Sequence, residues 1–117
     1  MTTVKIYHNP RCSKSREALA LLQEKGLNPI IINYLQSPPT LYSLKKLQGF
    51  LGISAMDMLR ENEAEFEHIT ALEDSNDEAI LSVVEEYPKL LQRPIIVCQN
   101  RAVIGRPPEK LLEILDD

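Results

Sequence analysis

The chain has 117 residues, a formal net charge of -4 and an isoelectric point near 5.2, with 44% hydrophobic and 26% charged residues. That length and balance fit one globular domain able to bury a core without disulfides or a structural metal. The acidic balance excludes a general nucleic-acid binder, which needs a basic face, but not a small anion held by a local cluster of arginines.

The elements follow in order. Val4-Lys5-Ile6-Tyr7 reads as a short strand, stopped by Asn9-Pro10. Helical spacing of Ala18, Leu19 and Leu22 predicts a helix over 13–25, with Gly26 as its stop. Pro29-Ile30-Ile31-Ile32-Asn33-Tyr34 is a continuous apolar run, which predicts a strand in a buried position. These form a right-handed βαβ unit with parallel strands. Ser37-Pro38-Pro39 breaks the pattern, and Thr40 caps a helix with Leu41, Leu44, Leu47 and Leu51 on one stripe. Ser54 and Asp57 open a short helix toward Glu63, ending near Arg60. The charged stretch to His68 is partly helical, and Ser75 with Glu78 forms a capping box for a helix closed by Pro88. Arg93-Pro94-Ile95-Ile96-Val97-Cys98 is a strand, with Gln99-Asn100 as turn and 101–104 as hairpin partner. Pro108 opens a last helix bearing Leu111, Leu112 and Leu115. The result is βαβ, a helical insertion at about 40–87, and ββα. This is an α/β, thioredoxin-like layout over 1–117, with four strands in one mixed sheet and helices on both faces. In open α/β sheets, ligands gather at the carboxyl ends of strands, where Cys12 falls.

Cys12 and Cys98 lie far apart in sequence and form neither a disulfide framework nor a zinc spacing. Cys12 sits at a strand-to-helix turn among Arg11, Ser13 and Lys14, outside any apolar stripe. A helix N-terminus and nearby cations lower a thiol's pKa, and the thiolate is the nucleophile. In the C-x-x-S spacing, Ser15 cannot resolve a mixed disulfide, although its hydroxyl can donate to the thiolate. Cys98 reads as strand core, so an external thiol, glutathione or a glutaredoxin, is expected to clear any adduct. His8, if protonated, would favour the thiolate; the alternative is a surface histidine. Arg93 precedes Pro94, a candidate cis bond that turns Arg93 toward Cys12. Arg60, Arg93 and Arg106 are the guanidinium groups suited to a tetrahedral oxyanion. The glutamates at 61, 63, 65 and 67, with Asp74, Asp77 and His68, have no metal spacing and read as a solvated face. The N-terminus has no apolar leader and no run long enough for a membrane span, so a cytoplasmic location is expected.

Ile6-Tyr7-His8-Asn9-Pro10 before Cys12, Ser15-Arg16, Ser37-Pro38-Pro39-Thr40, Leu59-Arg60, Arg93-Pro94-Ile95 and Arg106-Pro107 together resemble the thioredoxin-fold arsenate reductases (the ArsC type) that couple to glutathione and glutaredoxin. The resemblance covers nearly the whole chain. It implies that Cys12 attacks arsenate and that glutathione, as co-substrate, and glutaredoxin then reduce the adduct to arsenite. It also implies that Arg60, Arg93 and Arg106 bind the oxyanion, that His8 and Ser15 stabilise the thiolate, and that Pro94 is cis. No bound cofactor or metal and no nucleic-acid partner are implied. Arg11, Ser13 and Lys14 stand where the plasmid-type enzyme has small residues, and the chain stops soon after its last helix, as in a short chromosomal type. Two other readings share the fold: an Spx-like regulator that binds RNA polymerase, and a monothiol glutathione-dependent oxidoreductase. The first usually carries a second cysteine where Ser15 stands, and the second usually lacks the insertion.

Overall fold

Alternating side chains make the first strand, β1 (Val4–His8), with Val4, Ile6 and His8 buried and Lys5 exposed. The structure, a computed structural model, describes residues 3–72 and 76–115. The other strands are β2 (Ile30–Asn33), β3 (Ile95–Cys98) and β4 (Arg101–Ile104). The helices are α1 (Ser13–Glu24), α2 (Leu41–Leu51), α3 (Glu67–Thr70) and α4 (Asp77–Glu86). Four 3₁₀ segments, Met56–Met58, Ala64–Phe66, Pro88–Leu90 and Pro108–Ile114, are found among the described residues. The chain divides into two units, one of 1–37 with 93–117 and the other Pro38–Gln92.

The first unit holds the α/β, four-stranded mixed sheet in the order β2-β1-β3-β4. β1 pairs parallel with β2 and antiparallel with β3, and β3 pairs antiparallel with β4. All four residues of β3 are buried, as its place between two strands requires. The isoleucine run of β2 does not take the buried position its sequence predicts. It is an edge strand, and Ile30 and Ile31 are each 50% exposed. α1 and the C-terminal 3₁₀ segment pack together, with Val4, Ile6, Ala18, Leu22, Ile96 and Leu111 at the centre of the cluster. The last segment also differs from expectation. Pro108, Leu111 and Ile114 are buried at a spacing of three, the period at which 3₁₀ side chains eclipse, while Leu112 is exposed.

In the second unit, Thr40 caps α2 by accepting the Ser43 N–H, and Gly52 ends it with a left-handed φ of 68°. α2 and α4 pack against one another. Ser75, expected as the α4 cap, and Asp74 lie outside the described residues. The observed cap is Asn76, whose Oδ1 accepts the Ala79 N–H at 2.8 Å. The helix expected to run from Ser54 toward Glu63 is only the 3₁₀ turn Met56–Met58. It ends because Leu59 is extended and bridges Leu91. Pro88, expected to close α4, starts a 3₁₀ turn after it.

Candidate active site

β1 delivers His8 to the carboxyl edge of the sheet, and a tight turn leads to Cys12, the N-cap of α1. The turn closes through Cys12 N–H to Asn9 O at 3.0 Å. The first turn of α1 has no acidic residue. The positive end of the helix dipole is therefore left for the sulfur. Cys12 is 8% exposed. Burial pushes its thiol up, but the Ser15 N–H, hydrogen bonds from Arg106 and Arg93, and the Arg93 charge outweigh this. The net result is a thiol held below its ordinary range.

Ser15 is fully buried, and its hydroxyl serves the turn. Its Oγ accepts the Asn9 N–H at 3.0 Å and lies 2.6 Å from His8 Nδ1. His8 is neither the surface residue nor the cation considered from sequence. It is buried, and burial, with the charge of Arg16 adding, lowers its pKa. The neutral ring is favoured, so its polar contact with the helix start runs through Ser15 rather than through charge.

The opposite wall comes from the two arginine–proline steps. Both Arg93–Pro94 and Arg106–Pro107 are cis. Gly105 N–H donates to Pro94 O at 2.8 Å, and Arg106 Nε donates to Arg93 O at 2.8 Å. Arg106 Nη2 then lies 3.6 Å from Cys12 Sγ. Arg93 Nε is buried with no acceptor, a donor whose desolvation goes uncompensated within the protein. Cys12, Ser15, His8, Arg93 and Arg106 thus meet in the first unit.

Arg60 belongs to the second unit. It follows the 3₁₀ turn instead of ending a helix, donates its N–H to Leu90 O at 2.7 Å, and its guanidinium pairs with Glu63. His68 is exposed and stacks on Tyr87, with ring centroids 4.4 Å apart. Cys98 is buried in the core cluster of the sheet. Among the described residues no cluster of histidine, cysteine or acidic side chains could hold a metal, and no helix is long and apolar enough to cross a membrane. Asn9 and Gly105, which tie the site together through backbone groups, were not singled out from sequence. Their signal was only that they flank Pro10 and Arg106.

A low-pKa thiol at a helix start, beside a cis proline on a four-stranded mixed sheet, defines a thioredoxin-like thiol protein. The ArsC family model matches residues 7–114, and the chain belongs to that family. It is 45% identical to the uncharacterized protein YfgD of Escherichia coli (strain K12), over 96% of each chain. It is 40% identical to an arsenate reductase of Neisseria meningitidis, over 98% of this chain and all of that one. The structure of an arsenate reductase from Vibrio cholerae superposes with a TM-score of 0.92 at 44% identity, covering 97% of this chain and 98% of that one.

Proposed function

We propose that the chain is an arsenate reductase. The reading rests on one observation above others: a buried Cys12 at the start of α1 with Arg106 Nη2 3.6 Å from its sulfur. Such a site favours the thiolate and presents guanidinium groups where an oxyanion would approach it. Arsenate is the substrate named for the Neisseria and Vibrio relatives.

In the proposed reaction the Cys12 thiolate attacks arsenic(V). A sulfur–arsenic bond forms, and an arsenate oxygen leaves as water with two protons. Glutathione sulfur then attacks Cys12, and the sulfur–arsenic bonding pair stays with arsenic, which leaves as arsenite. The two sulfurs supply the two electrons and end joined in a disulfide. Ser15 offers no thiol to open that bond, so glutaredoxin, a dithiol partner, does so and restores Cys12. Arg93 and Arg106 bind the oxyanion and, with Ser15 and its partner His8, favour the thiolate. The resemblance around Leu59-Arg60 adds Arg60 to the oxyanion set. Glutathione as co-substrate implies a reducing, cytoplasmic setting.

The test is an assay with arsenate, glutathione, glutaredoxin and an NADPH-linked glutathione-reducing system. Arsenate-dependent NADPH loss is expected with the parent protein and not with Cys12→Ser. No difference between the two would sink the reading. In the same assay, an Arg60→Ala variant with an unchanged KM for arsenate would remove Arg60 from the oxyanion set.

A further inference from the structure

We propose that Gly105 is a positioning residue for the Cys12 site: its missing side chain lets the end of β4 close on the Arg93–Pro94 turn and so sets Arg106 against the sulfur. The substrate part of this inference rests on the arsenate-reductase reading, but the thiol part does not.

The need for glycine here is spatial. Gly26 and Gly52 have positive φ and open space around a would-be Cβ, and Gly49 also has open space. Gly105 has no positive φ, yet a Cβ there would lie 2.8 Å from Ile96 Cδ1, 3.0 Å from Pro94 Cγ and 3.8 Å from Ala18 Cβ. Those atoms belong to β3, to the arginine–proline turn and to α1, the helix that Cys12 starts. Ile96 is fully buried and the proline ring is stiff, so neither neighbour yields without disturbing its surroundings.

Two successive hydrogen bonds depend on that close approach. Gly105 N–H reaches Pro94 O at 2.8 Å, and Arg106 Nε reaches Arg93 O at 2.8 Å. The same guanidinium then places Nη2 on Cys12 Sγ. A methyl group at 105 pushes β4 from the turn, lengthens both bonds and takes Arg106 off the sulfur. Burial then goes less opposed, and the thiol moves back toward ordinary behaviour.

The test compares Gly105→Ala, Ile96→Val, and both together. Ile96→Val removes the Cδ1 that lies nearest the added methyl while leaving Pro94 in place. Thermal midpoint, the pH profile of Cys12 alkylation read by peptide mass spectrometry, and kinetics with arsenate are measured on each. Gly105→Ala is expected to shift the alkylation midpoint upward and raise the KM for arsenate about tenfold, the size of one charge-assisted hydrogen bond. The double variant should recover thermal stability yet keep the raised midpoint, because Pro94 still meets the methyl. A folded Gly105→Ala protein with the parent profile overturns the proposal, as does a double variant whose profile returns to that of the parent. Failure of both glycine variants to fold also overturns it, since glycine would then be a requirement of the core. Absence of arsenate turnover in the parent would refute the substrate reading while leaving the alkylation result decisive for Gly105.

Discussion

Arg93 and Arg106 each precede a cis proline and each helps hold the Cys12 thiol below its ordinary range, yet their guanidinium groups are differently committed. Arg106 is exposed, but two of its donors already have acceptors on the protein: Nε on Arg93 O and Nη2 on Cys12 Sγ. Arg93 is partly buried and keeps a buried Nε with no acceptor. An unmatched buried donor costs about 1–3 kcal/mol, and under the proposed chemistry an oxyanion would supply the missing acceptor. The contrast teaches a division of labour. Arg106 is bound up with the sulfur in the free protein, and Arg93 has the more to gain from a ligand.

Removing the sulfur should have the largest effect, because both arginines then lose their common target. Cys12→Ser is expected to bring arsenate-dependent NADPH consumption to background, and residual turnover would mean that another group is the nucleophile. Next comes Arg106→Ala, with an expected loss of about 10²-fold in kcat, the scale seen when one preorganised donor is deleted. Without any arsenate present, its Cys12 alkylation midpoint should already lie above that of the parent; an unmoved midpoint would erase the contrast between the two arginines. Arg93→Lys keeps a charge but loses the planar fork, and its main cost should be about a tenfold rise in KM for arsenate with a smaller change in kcat. If kcat fell more than affinity, the roles would need to be exchanged. The smallest effect belongs to His8, which titrates where the arginines do not. The unfolded chain takes a proton at the ordinary histidine value of 6.5, whereas the buried ring takes one only at lower pH. Stability is therefore full above the ordinary value and declines as pH falls toward the lowered one. Urea midpoints between about pH 8 and 5 should show this decline in the parent. His8→Gln should flatten it, and equal slopes would show that other groups govern acid sensitivity.

Much of this arrangement was legible from local signals. Thr40, Gly26 and the Gln99-Asn100 turn each act within a few residues, and elements with such signals lie where they are expected. The reversals occur where partners distant in sequence decide. Ile30-Ile31-Ile32 and Ile95-Ile96-Val97 look alike as sequences, but only the second has a strand on each side. A period of three in Pro108, Leu111 and Ile114 was masked by the adjacent Leu112 and Leu115, which suggested a wider helical stripe. Cys12 was visible because a thiol among polar residues at a helix start is unusual. The lowered pKa of His8 was not, since it depends on burial and on the charge of Arg16 on the neighbouring helix. The role of Gly105 was hidden for a related reason: nothing in the residues around it reveals Ile96 and Pro94 packed against its α-carbon.

The Ser15 hydroxyl has a consequence for how such a site can change. One oxygen accepts the Asn9 amide and meets the His8 ring, fastening the end of β1, the turn and the start of α1 together. Sulfur is larger than oxygen and a poorer acceptor, and this position has no solvent exposure to absorb the difference. A cysteine introduced there would gain a resolving thiol at the cost of that fastening. Under the proposed chemistry, reliance on an outside reductant is therefore built into the scaffold, and self-sufficiency would require the turn to be rebuilt along with the residue.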